Sequence, residues 1–109
     1  MSTIVALATG ENLAAIALIR LSGTDAHRLA LQHFESLSSV SSHPVRRALL
    51  GKIILAGEVL DQVLLTLFAA PHSYTGEDMA EIACHGSPYI VQTLLDTLIQ
   101  EGAHPAQPG

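Results

Sequence analysis

Apolar and polar positions fall in blocks along this chain, and the spacing inside each block predicts an element. Thr3 to Ala8 is a short β-rich segment, and Ala14 to Leu21 (AAIALIRL) is a nearly continuous apolar run suited to a strand covered on both faces. Thr9-Gly10-Glu11-Asn12 supplies the turn between them. From Thr24, apolar residues at Ala26, Leu29, Ala30, Phe34 and Leu37 follow helical spacing with Asp25 in the first turn, so an amphipathic helix is expected on the sheet. Leu37 to Pro44 (LSSVSSHP) reads as a connector. Arg46 to Leu55 and Val59 to Ala69 read as hairpin strands joined near Ala56-Gly57-Glu58, and Met79 to Cys84 as a further strand. Ser87 is placed to cap a second helix with Pro88 at its first position. Ile90, Val91, Leu94, Leu95, Leu98 and Ile99 form its stripe, and Gly102 is placed to end it. The predicted order is β-β-α-β-β-β-α: an α+β fold, a mixed or antiparallel sheet with two helices on a face.

Length and composition narrow what such a fold can do. A chain of 109 residues makes one domain, 1–109, able to bury roughly 65% of its unfolded surface. It is 49% hydrophobic and only 14% charged, so either the core is unusually rich or some apolar surface meets a partner. A net charge of -5 argues against this domain gripping a nucleic-acid backbone by itself. No apolar run approaches the roughly 18 residues of a membrane span, and no basic stretch precedes a hydrophobic one at the N-terminus. A cytoplasmic location is therefore the default expectation. The single cysteine, Cys84, excludes an internal disulfide and has no partner at CxxC spacing. Gly102 to Gly109 ends in turn residues with no closing element after them, which reads as a truncation.

The stretch Pro71 to Gly86 (PHSYTGEDMAEIACHG) is more polar than its flanks and reads as the site that the rest of the chain holds in place. Glu81 sits mid-strand between Ala80 and Ile82, where a carboxylate is poorly placed unless it is paired or faces a cleft. The bland alternative is a strand carboxylate turned to water. Arg20 is the single charge in Ile16 to Leu21 and wants a fixed anionic or carbonyl partner, with Glu81, Asp78 and Glu77 as the structural candidates. Thr75, Gly76, Glu77 and Asp78 are expected to shape the loop, Gly76 through a positive φ and Asp78 by bracing the turn through its own backbone. Tyr74 reads as a core aromatic more readily than as a stacking platform. His72, His85 and Cys84 lack ligand spacing, so no metal site is expected. Cys84, mid-strand among apolar neighbours, reads as a small core residue with a raised thiol pKa and no nucleophilic role. No catalytic residue is assigned.

The run PHSYTGEDMAEIACHGSP resembles the signature of the N-terminal domain of the tRNA-modification GTPase family (MnmE/TrmE), in which S-[YF]-T-G-E-D leads into a strand and an H-G turn. Thr3 to Thr9, Ile16 to Gly23 and Leu60-Asp61-Gln62-Val63 match in the same order, so the resemblance covers nearly the whole chain. It implies a domain like half of a folate-binding domain of the glycine-cleavage T-protein type, with its first strands exchanged and completed by homodimerisation. It also implies that Glu81 and Arg20 contact 5-formyltetrahydrofolate or a related tetrahydrofolate. For the whole protein it implies GTP hydrolysis with Mg and K in a separate domain, and a flavin-dependent partner protein, for modification of the wobble uridine of tRNA at C5. This chain contains no G-x-x-x-x-G-K-[ST], so that hydrolysis lies outside it.

The chain departs from the family pattern in three places. A Gly- and Arg-rich P-G-R-G turn is replaced by Gly10-Glu11-Asn12-Leu13-Ala14, and H-G-G becomes His85-Gly86-Ser87. A folate-contacting lysine of relatives falls beyond Pro108-Gly109. Two other classes therefore stay open: a dimerisation module without folate affinity, and half of a folate-dependent aminomethyltransferase.

Overall fold

The structure is a computed structural model, which describes residues 2–9, 15–37 and 44–106. The expected Gly10–Ala14 turn and most of the Leu37–Pro44 connector lie outside those residues. The described elements are β1 (Ile4–Leu7), β2 (Ile16–Ser22), α1 (Ala26–Leu31), β3 (Phe34–Ser36), β4 (Leu49–Leu55), β5 (Glu58–Phe68), β6 (Met79–His85), α2 (Pro88–Gln100) and β7 (His104–Pro105). All seven strands join one sheet in the order β3-β4-β5-β6-β2-β1-β7. Only the β1–β7 pair is parallel among these ladders, so the fold is α+β with a mixed sheet and two helices, as the pattern predicts.

Side-chain alternation divides this sheet into two unlike faces. Ala17, Ile19 and Leu21 of β2 are buried, as are Ala80, Ile82 and Cys84 of β6 and Val63, Leu65 and Leu67 of β5. They form one core with Ala26, Leu29 and Ala30 of α1 and Leu94 and Leu98 of α2. Both helices therefore cover the same face. On the other face lie Ile16, Leu18 and Arg20 of β2, Glu81, Ala83 and His85 of β6, and Gln62, Leu64 and Thr66 of β5. Each is exposed or half-buried. This corrects the expectation that Ala14 to Leu21 is covered on both sides: over Ile16–Ser22 the apolar run alternates between the inner layer and an outer surface with no helix above it among the described residues.

The expected helix over Thr24 to Leu37 is also corrected. It stops at Leu31, and Phe34–Ser36 pairs antiparallel with β4, Phe34 opposite Ile53 and Ser36 opposite Gly51. Helical spacing persists through Phe34, but the free edge of β4 offers ladder hydrogen bonds that a frayed helix end lacks. The Phe34 ring lies over Gly51. A Cβ there would collide with the ring and come within 2.6 Å of the Glu35 carbonyl oxygen. Gly51→Ala is therefore expected to cost about 1–3 kcal/mol in urea denaturation. Phe34→Ala in the same chain should recover only part of this loss, because the backbone oxygen remains.

The β4–β5 hairpin turns through Ala56 and Gly57 with φ of 52° and 80°, the left-handed pair that a two-residue turn requires. β4 begins at Leu49, later than the expected Arg46. Arg46 instead takes φ 58° and donates its N–H to the Leu67 carbonyl at 2.6 Å. Ser87 accepts the Ile90 N–H at the start of α2 with Pro88 at the first position, and Gly102 ends the helix at φ 125°. The chain then returns to the sheet as β7, where the sequence reads only turn residues from Gly102 on. His104 donates to the Thr3 carbonyl at 2.8 Å and Ala106 to that of Val5 at 2.9 Å.

Candidate binding site on the uncovered sheet face

Arg20 and Glu81 are distant in sequence, yet the antiparallel register of β2 and β6 sets them directly opposite each other. Both point to the outer face, and Arg20 Nε donates to Glu81 Oε2 at 2.6 Å. The side chains are 40% and 22% exposed, so the pair is wet enough for solvent to screen it and its worth to stability is within about 1 kcal/mol. What the contact fixes is direction. It holds a flat guanidinium and a carboxylate edge to edge on the sheet face opposite the two described helices.

The loop from Ala69 to Asp78 rises beside this pair. Gly76 takes φ 82°, and the Ala70–Pro71 peptide is cis. Ser22 at the end of β2 ties the loop down: its hydroxyl shares a hydrogen bond with Thr75 Oγ1 at 2.7 Å and donates to Glu77 Oε1 at 3.1 Å. Ser73 Oγ donates to the Glu77 carbonyl. Asp78 braces the loop as expected but not through its own neighbours. Its Oδ1 accepts from the Ala70 N–H at 2.8 Å, and its carbonyl accepts from Gly23 N–H at 2.9 Å.

Tyr74 overturns its expectation as a core aromatic. It is 87% exposed, with its ring 5.6 Å from the Arg20 guanidinium carbon. The loop stands over the face that has no helix layer among the described residues, and their buried core lies on the other side of the sheet. It instead forms a cation–π contact with Arg20. Arg20, Glu81 and Tyr74 thus meet in one place.

Sequence reasoning missed the pairing of Asp61 with His85. Asp61 Oδ2 accepts the His85 backbone N–H at 2.8 Å, and Oδ1 lies 2.7 Å from the ring Nδ1. The signal was present: an aspartate inside the apolar strand VLDQVLLTLF cannot be buried without donors. Beside His85 lies a largely apolar depression of about 230 Å³ whose lining includes Ile16, Leu50, Leu64, Ala83, Gln62 and His85.

Cys84 is buried beneath it, and burial, followed by the nearby charge of Asp61, pushes its thiol from 9.0 up to about 11. Iodoacetamide at pH 8 should therefore leave folded protein unmodified and label it only in denaturant, as read by mass spectrometry. Full labelling of the native domain would contradict this placement. The folded thiol keeps its proton where an unfolded one releases it, so this contribution to stability is complete below pH 9 and is lost as pH rises through 11. Among the described residues no three His, Cys, Asp or Glu side chains are grouped to hold a metal ion. No helix among them is long and apolar enough to cross a membrane.

Fold and site together define a small α+β domain: among the described residues both helices cover one sheet face, and a paired guanidinium and carboxylate stand on the other. Residues 3–109 match the family model described as GTP-binding protein TrmE N-terminus, and the chain belongs to that family. It is 43% identical over 109 residues to the tRNA modification GTPase MnmE of Thermotoga maritima, covering 100% of this chain and 24% of that protein. Against the tRNA modification GTPase MnmE of Porphyromonas gingivalis it is 46% identical over 110 residues, covering 98% of this chain and 23% of the relative. The chain spans about a quarter of the length of these relatives.

Proposed function

We propose that this domain binds a reduced one-carbon folate of the 5-formyltetrahydrofolate kind on its uncovered sheet face and pairs with a second copy of itself. In this reading it serves a tRNA modification GTPase that acts at C5 of the wobble uridine with a flavin-dependent partner protein. GTP, Mg and K belong to a domain outside this chain. The observation that carries the reading is the contact between Arg20 and Glu81 on an open, largely apolar surface.

The residues present fit such a ligand. A pterin offers an amino group and a ring N–H side by side, and a carboxylate accepts from both at once. Glu81 has lone pairs to spare beyond the one that receives Arg20 Nε, and Arg20 fixes the orientation in which they are presented. The guanidinium is left with donors for the pterin carbonyl oxygen. Tyr74, already over Arg20, offers an aromatic face to a flat heterocycle. The bound folate supplies one carbon, while these side chains bind and orient it. Exposed Ile16 and Leu50 on the same face supply apolar area for a second copy.

Isothermal titration calorimetry of the domain with 5-formyltetrahydrofolate tests the binding, with saturable heat expected. Sedimentation equilibrium tests the pairing, with a dimer expected. A dimer that gives no heat would leave an assembly module without folate affinity.

A further inference from the structure

The Asp61–His85 pair has no part in holding the pterin. Asp61 is only 8% exposed through its side chain, and both oxygens are taken up by one residue. A carboxylate can only accept, so a ring hydrogen of His85 sits on Nδ1 and Nε2 is turned away from Asp61. That ring is 69% exposed and stands at the rim of the apolar depression. A buried carboxylate has been used to fix the direction of an exposed imidazole, as the outer partners of functional histidines do.

Position gives this arrangement its meaning. Glu81, Ala83 and His85 alternate onto the same face of β6, so His85 stands roughly 13 Å along the strand from Glu81. Between them the face is apolar: Leu18 is opposite Ala83 on one side and Leu64 on the other. The surface therefore reads, in a line, as a polar pole, an apolar middle and a second polar pole.

We infer that His85, oriented by Asp61, receives the carboxylate end of an elongated ligand whose flat polar head lies at Arg20 and Glu81. The inference rests on the folate reading, in which that end is the glutamyl tail and the benzoyl ring crosses Leu18, Ala83 and Leu64. With Nδ1–H held by Asp61, Nε2–H of the imidazolium donates to the arriving carboxylate in a charge-assisted hydrogen bond. His85 is thus the residue that separates a folate with its glutamate from one without.

The test compares 5-formyltetrahydrofolate with the primary amide of 5-formyltetrahydropteroate, which keeps the head and the benzoyl group but lacks the glutamate and carries no carboxylate. Wild type is expected to bind the tailed form at least on the order of tenfold more tightly. His85→Gln should bring the tailed form down to the affinity of the truncated one while leaving the latter unchanged. Asp61→Asn, which removes the orienting acceptor, should produce the same selective loss in smaller measure. Equal affinity of wild type for the two forms overturns the inference without any variant, as does an equal loss of both in His85→Gln. If wild type binds neither form, the folate reading itself falls and this one falls with it.

Discussion

Glu81→Ala is expected to lower the affinity for 5-formyltetrahydrofolate by on the order of a hundredfold or more, because in the proposed folate reading it removes the carboxylate that accepts two adjacent pterin donors. Arg20→Ala removes the group that aims the carboxylate and is expected to cost about tenfold. The cost to folding should be small in both cases. The pair is partly exposed and its ladder hydrogen bonds belong to the backbone of β2 and β6, so denaturation midpoints should move by the equivalent of about 1 kcal/mol or less. Calorimetry and urea denaturation on the same samples separate loss of a ligand contact from loss of fold. Glu81→Ala binding at wild-type strength would remove the carboxylate from the site.

The largest stability effect is expected on the inner face. Ile19 lies between Ile82 and Val5's neighbour Leu7 in the sheet: it pairs with Ile82 of β6 on one side and with Leu7 of β1 on the other, and Ile82 pairs in turn with Leu65 of β5. Ile19 and Leu65 are wholly buried and Ile82 nearly so. Ile19→Ala leaves a cavity under the helices that the sheet backbone cannot collapse to fill, and should cost about 2–5 kcal/mol. That is a large share of the roughly 5–15 kcal/mol that holds a domain together, and it lowers the melting temperature by roughly 10–20 °C in a chain of this size. Adding Ile82→Ala should be non-additive, since the two side chains share one space. A loss under about 1 kcal/mol for Ile19→Ala would mean that this row is not the centre of the core.

Much of this architecture is legible in the sequence where periodicity is clean. The β4–β5 hairpin, β6, and α2 with its Ser87-Pro88 start follow from spacing and turn chemistry alone, whereas the two unlike faces of β2 do not. Phe34–Ser36 is not legible, because three residues that continue a helical spacing are claimed by a strand edge formed some 15 residues later, and local pattern carries no record of that. Tyr74 is misread for a related reason: whether an aromatic in a loop is core depends on which face of the sheet has a layer above it. The meeting of Arg20 with Glu81 depends on register, which spacing along either strand leaves undetermined. The Asp61–His85 pair is the instructive miss, since a lone aspartate in an apolar strand already asks for its donors.

The two outermost strands are three and two residues long, and β7 carries Pro105, which has no N–H to donate. Among the described residues the sheet therefore ends, at both margins, in strands too short or too poorly equipped to serve as a template for lateral growth. Concentrated protein should accordingly resist fibrillar aggregation by β-ladder extension, and copies that associate have a broad flat contact open to them where an edgewise one is blunted.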